Sequence, residues 1–363
     1  MIEKMNITKS TKKQAIFFYK SALVLMTGLA LAVLGACAPE ERMDEPVPVI
    51  FETDMTTDCD DAGALAMLHT LERRGEAEIL ATVVNNKGAH SSGATAAINA
   101  FYGRADIPVG AYQGYIVGRE TADFFIEIAE DADVYGHPAA TRDGYPDAVE
   151  VYRRVLADAG PNEVVIVSVG HLNNLYDLLQ SGPDEHSSLD GVALVEEKVD
   201  HLVVMGGHYL PDPSVRYPYG AEHNFRARGS AQFTGPALNM WPTRILLSGY
   251  EIGEQILTGP ALVKLDEMHP VRRAYAGHPS EPLVNGRMSW DQTAVLAAVR
   301  DPEKYWNLSG PGRVEVDPEG QNTWIDDPEG THVYLIERAD PGPSQIAEII
   351  EALMVGNAQP DSQ

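Results

Sequence analysis

Thiols are almost missing from this chain. Among its 363 residues only Cys37 and Cys59 are cysteines, which is too few for a disulfide framework. Cys59 has no activating partner nearby in sequence and reads as a small packed residue. Cations are scarce as well: 27 Lys and Arg face 53 Asp and Glu, for a net charge of −26. Such an acidic chain argues against nucleic acid and anionic membrane surfaces as partners. No second long apolar run follows residue 36. The G-x-S-x-G elbow, the G-x-G-x-x-G fingerprint, the P-loop and H-E-x-x-H are all absent. Nucleophilic serine chemistry, dinucleotide binding and zinc peptidase chemistry therefore lack their usual signatures.

The first 36 residues read as a targeting segment. Lys4, Lys9, Lys12, Lys13 and Lys20 form a basic region, and 22–36 is apolar but short for a membrane span. The run ends in Leu34-Gly35-Ala36-Cys37, which resembles a bacterial lipobox, so Cys37 is expected to carry lipid and become the new N-terminus. The alternatives are ordinary cleavage near Ala36 or an uncleaved anchor. Residues 37–48 read as an acidic, Pro-rich tether, 49–356 as the folded domain and 357–363 as a polar tail. Losing five lysines and one glutamate with residues 1–36 moves the net charge from −26 to −30. The expected location is extracytoplasmic, on a bacterial membrane held through lipid only. Ala38 and Pro39 carry no Asp retention signal, which favours an outer membrane where one exists.

What the chain does have is acid in one place. Glu52, Asp54, Asp58, Asp60 and Asp61 crowd ten residues between the apolar run Val47–Phe51 and a helical pattern over Ala62–Leu71. In open α/β sheets that strand end is where ligands bind. Asp58 or Asp60 alone could serve as a helix cap. Five carboxylates exceed that need, and their repulsion points to a hard divalent cation.

Strand-like runs alternate with helical patterns: strands at Glu78–Val84, Ile107–Val109, Glu163–Val169, Val199–Met205 and Arg244–Leu247, and helices at Gly93–Tyr102, Asp147–Ala157, Leu172–Leu179, Ser289–Val299 and Pro343–Val355. This predicts an α/β fold with a doubly wound, mostly parallel sheet. Turn signals within Arg313–Ile336 predict a small antiparallel excursion near the C-terminus. Two stretches, 112–144 and 207–228, read as long irregular loops. The second carries His208, Tyr209, Arg216, Tyr217, Tyr219, Glu222, His223 and Asn224, residue types suited to a sugar; a solvated loop or an oligomer contact is the alternative.

Six segments in order then carry a resemblance. They are Glu52-Thr53-Asp54 running to Asp60-Asp61-Ala62, Thr82-Val83-Val84-Asn85-Asn86, Gly170-His171-Leu172-Asn173-Asn174, Met205-Gly206-Gly207, Ala221-Glu222-His223-Asn224, and Trp290-Asp291-Gln292-Thr293-Ala294-Val295. In this set the chain resembles the nucleoside hydrolase family, the calcium-dependent N-ribohydrolases of inosine–uridine type. The resemblance implies Ca²⁺ held by Asp54, Asp61, Asp291 and the carbonyl of Val169, with Asp54 also the base that activates water. It implies that Asp60 binds the ribose 2′-hydroxyl and that Asn86, Glu222 and Asn224 bind the rest of the sugar. The expected reaction is hydrolysis of the N-glycosidic bond of a ribonucleoside, serving purine or pyrimidine salvage. The alternatives are another ribosyl or glycosyl substrate, or a non-catalytic calcium-stabilised binding protein. A homo-oligomer is expected from the family's habit.

Departures from the pattern accompany it. The first loop is two residues longer, which leaves Asp58 and Asp60 both open to the diol role. Trp290 stands where many relatives have a histidine, so the leaving base is stacked there or protonated from elsewhere, with His208 and His223 the candidates. Arg216 and Arg228, near the expected 5′ end of the sugar, raise a 5′-phosphate as a possible substituent.

Overall fold

The computed structural model describes residues 45–210 and 221–356. Cys37, the targeting segment, the tail, Arg216, Tyr217, Tyr219 and the side chain of Arg228 lie outside the described residues. Twelve strands are described: β1 (Val47–Thr53), β2 (Ala77–Val84), β3 (Val109–Ala111), β4 (Val164–Ser168), β5 (Val199–Met205), β6 (Arg244–Ser248), β7 (Leu257–Thr258), β8 (Arg287–Met288), β9 (Asn307–Leu308), β10 (Gly312–Val316), β11 (Asn322–Asp326) and β12 (His332–Ile336). The main sheet runs β11-β10-β12-β6-β5-β4-β1-β2-β3. Every pairing from β12 to β3 is parallel.

The central strands are mostly apolar because both faces are covered. One face packs a core that includes Leu65, Leu68, Ile98, Phe125, Tyr275, Leu296 and Ile350; the other packs Tyr152, Leu156, Leu175, Leu194, Leu238 and Ile245. Apart from Ile245 of β6 they come from helices: those within 60–130 and 270–355 cover the first face, and those within 148–240 the second, as a doubly wound fold requires. The antiparallel excursion is the β10–β11 hairpin, while β12 itself returns parallel to β6. A second small antiparallel pair joins β7 to β8.

The stretch 112–144 is not the irregular loop expected. It holds helices Asp123–Glu130 and Ala132–Tyr135. Phe125, Ile128 and Ala129, spaced three and four apart, supply the apolar stripe that buries the first of them. Within 207–228 a short helix, His223–Arg226, interrupts the loop. The first strand begins at Val47, inside the expected tether, because Val47 and Pro48 already lie beside Ala77 and Glu78 of β2. Among the described residues no helix is long and apolar enough to cross a membrane.

Candidate active site

From β1 the chain winds outward through β2 and β3, then returns to place β4 on the other side of β1. The connections after β1 and β4 therefore diverge and leave a crevice at their carboxyl ends, where ligands bind in such sheets. A cavity of about 210 Å³ opens there, with six carboxylates in its lining: Asp54, Asp58, Asp60, Asp61, Glu222 and Asp291.

Local bonds shape the acidic loop. The Thr53 hydroxyl accepts the Met55 N–H at 3.1 Å and donates to the Asp61 carboxylate. The Cys59 N–H donates to Asp58 Oδ1 at 2.9 Å. Helix Asp60–Arg73 begins immediately afterwards, with Asp60 and Asp61 in its first turn. Asp291 stands in the first turn of helix Trp290–Val299. Two helix N-termini, each with partial positive charge, thus face the same spot. One oxygen from each of Asp60, Asp61 and Asp291 lies within 4.8 Å of the others, and all three residues are buried. Burial, and then the charges of the neighbouring aspartates, push all three carboxyls well above the usual carboxylate range. An all-oxygen, anionic, buried set is what Ca²⁺ or Mg²⁺ takes as ligands. The residues fit a divalent ion.

Asp54 stands outside this group but in the same cavity, and its side chain is 18 % exposed. Its Oδ2 lies 3.5 Å from Nε2 of the buried His171. Val169 also lines the cavity. Its carbonyl accepts from Asn224 Nδ2 at 3.1 Å, and the same amide donates to the Met205 carbonyl at 3.1 Å. Asn224 thus ties the ends of β4 and β5 together. Glu222 caps helix His223–Arg226: its oxygens accept the N–H groups of Asn224 (2.8 Å), Phe225 (3.2 Å) and Gly207 (3.1 Å). Burial nevertheless pushes its carboxyl up to about 7. Asn86 is not brought into the cavity lining. Its Oδ1 accepts from Gly88 N–H (2.7 Å) and Ser91 Oγ (3.2 Å), and Gly118 packs directly against it. Behind the site, Glu52 is fully buried and its carboxyl is pushed up to about 8 by that burial, with Ser168, Asn174, Tyr152 and Asn85 around it.

An aromatic wall closes one side. Trp290 and Tyr250 stack with ring centroids 5.3 Å apart, and the Trp290 Nε1–H donates to the Tyr250 carbonyl at 2.9 Å. The Arg287 guanidinium lies 5.0 Å from the Trp290 ring and bridges Asp58, with Nε to Oδ1 at 2.9 Å. Burial pushes the Asp58 carboxyl up, but the Arg287 bridge outweighs it and holds it below the usual range. His223 lines the cavity with its exposed ring, 6.1 Å from the ring of His171. His208 does not line it; its backbone exchanges two 3.0 Å bonds with the Asn322 side chain. Sequence reasoning passed over Arg287, Tyr250 and His171. A basic residue four positions before Asp291 was the available signal for Arg287, and His171 stood inside the Gly170–Asn174 segment without a role; nothing local marked Tyr250.

No family model matches the chain, and no curated protein matches it by sequence. Solved structures do. The chain is similar to a plant nucleoside hydrolase, the PpNRh1 enzyme, with 19 % identity, a TM-score of 0.60, and coverage of 86 % of this chain and 99 % of that one. It is similar to the inosine–uridine preferring nucleoside hydrolase of Bacillus anthracis, with 16 % identity, a TM-score of 0.61, and coverage of 85 % and 98 %. It is also similar to the type III effector protein XopQ, solved with adenosine diphosphate ribose, with 16 % identity, a TM-score of 0.57, and coverage of 86 % and 93 %. At these identities the likeness is one of fold: the α/β architecture is that of the nucleoside hydrolases.

Proposed function

We propose that this protein hydrolyses the N-glycosidic bond of ribonucleosides and depends on one divalent cation, Ca²⁺. The observation that carries this reading is the Asp60–Asp61–Asp291 group at the sheet's switch point. The nucleoside hydrolase-like fold supports it.

Asp60, Asp61 and Asp291 would hold the ion, with Asp54 and the Val169 carbonyl beside them in the same cavity. When bound, the ion lowers the pKa of a coordinated water and anchors the sugar diol. The remaining work falls to side chains. Asp54, exposed to the cavity, takes the proton from the attacking water. Asp60 accepts from the ribose 2′-hydroxyl, and Glu222 and Asn224 bind the rest of the sugar. The carboxylates stabilise the positive charge that develops on the ribosyl carbon. The Tyr250–Trp290 stack offers a flat apolar face to the leaving base.

Lipidation at Cys37, an extracytoplasmic location, self-association and a role in nucleoside salvage belong to the same proposal and rest on the sequence. A second reading, another ribosyl substrate, is favoured by the likeness to an effector solved with adenosine diphosphate ribose. The experiment is release of free base, read by chromatography, from a nucleoside panel and from adenosine diphosphate ribose, with calcium and with EGTA. Calcium-dependent base release from nucleosides supports the first reading, and release of adenine from adenosine diphosphate ribose alone moves the assignment to the second. Thermal stabilisation by nucleosides without any turnover would mark a binding protein instead.

A further inference from the structure

The three grouped carboxylates reach the crevice from two segments far apart in the chain. Asp60 and Asp61 open one helix, and Asp291 opens another. Just before each helix stands one member of an ion pair: Asp58 lies two residues before Asp60, and Arg287 four before Asp291. Arg287 Nε donates to Asp58 Oδ1 at 2.9 Å, and Nη2 donates to Oδ2. A two-point contact of this kind fixes rotation as well as distance. Both partners are braced from their own sides. Arg287 pairs with Thr258 across the β7–β8 ladder and lies over Trp290. Asp58 accepts the N–H of Cys59, the residue at the helix cap.

We propose that Arg287 is a positioning residue for the metal site: its bridge to Asp58 holds the acidic loop and the start of the late helix at the spacing a divalent ion requires. This rests on the reading of the carboxylate group as an ion site. Two effects of opposite sign are in play. As a positive charge, Arg287 opposes a cation. As a strut, it removes the freedom of a loop whose carboxylates otherwise repel one another, so the ion meets its ligands already assembled. The strut dominates because the guanidinium's charge is already met by Asp58 at contact distance.

The two effects give opposite outcomes for one substitution. Calcium binding to the full chain is measured by calorimetry without substrate, for the unmodified protein, Arg287→Gln and Arg287→Lys. Melting in chelator reports folding separately. The expected result is at least about tenfold weaker calcium binding in Arg287→Gln, with Arg287→Lys, which keeps the charge but one contact, in between. Melting in chelator is expected to change far less than the calcium-induced shift does. Unchanged or tighter calcium binding in Arg287→Gln overturns the proposal. Should that variant fail to fold, calcium binding by Arg287→Lys equal to the unmodified protein overturns it. No saturable calcium binding by the unmodified protein overturns it together with the ion-site reading, so the two failures are told apart.

Discussion

Replacing Asp291 with Asn inverts the usual order of stability, and the size of the inversion follows from the geometry. Asp60, Asp61 and Asp291 hold oxygens within 4.8 Å of one another. At an effective dielectric of 20, each ionised pair at that distance repels by about 3.5 kcal/mol. Asp291 takes part in two such pairs. Burial and this repulsion hold the Asp291 carboxyl well above the usual range, so the metal-free native state bears a cost on the order of one such pair, about 3.5 kcal/mol. Asn removes it and gives up about 0.3–1 kcal/mol of favourable interaction with the helix N-terminus. The net gain is about 3 kcal/mol, or roughly 5 °C in melting temperature for a chain of this size.

Calcium reverses the comparison. An ion at a thousandfold excess over its Kd stabilises the native state by about 4 kcal/mol, and a site short of one anionic ligand loses most of that. Asp291→Asn is thus expected to melt above the unmodified protein in chelator and below it in millimolar calcium. The pH dependence has a definite sign. An acid whose native pKa is raised contributes stability that is present below its unfolded value and lost as pH rises. The metal-free unmodified protein is therefore less stable at pH 8 than at pH 5, and Asn at 291 flattens that slope. Scanning calorimetry of both proteins, with and without EGTA, makes the check. A variant that melts lower in chelator, or that calcium stabilises as strongly as the unmodified protein, refutes the reasoning.

Glu52→Gln removes a buried acid whose pKa is pushed up to about 8 from 4.5; it is expected to stabilise the fold by about 3 kcal/mol at pH 7 and by nothing below pH 4.5, and denaturant titrations that show no such pH-dependent gain count against it. His223→Gln is expected to slow release of purine bases by about 10² or more, the range of general acid catalysis, while hardly affecting a p-nitrophenyl riboside, whose leaving group needs no proton; equal losses on both substrates exclude His223 as the donor. Asn224→Ala frees the Val169 and Met205 carbonyls, is expected to cost about 1–3 kcal/mol, and should raise KM for the riboside; unchanged KM and melting temperature would contradict its place in the sugar site.

Most of the fold was legible because it is written in local pattern. Val199–Met205 reads as a buried strand with a Gly-Gly stop, and β5 has those bounds. Both acidic helix starts follow from the loop chemistry at 52–61 and from Trp290-Asp291. What could not be read depends on distant partners. Arg287 and Asp58 are 229 positions apart, and no periodicity joins them. Asn86 matches a motif, yet Gly118 and Ser91 pack around it and take it out of the cavity lining. Helix Asp123–Glu130 was hidden because its apolar stripe spans only two turns between polar flanks.

Charge balance ties the departures together. Six carboxylates line one cavity, a load that no fold tolerates unless it is offset. Arg287 meets Asp58, and three backbone N–H groups meet Glu222. Asp60, Asp61 and Asp291 then present three charges to two helix N-termini, each equivalent to roughly +0.5. About two negative charges are left, which one divalent ion neutralises. Asp54, beside His171, falls outside that balance, and a carboxylate so placed can accept a proton without dismantling the ion site. Asp58 is likewise kept out of the ion's share of the charge by its contact with Arg287.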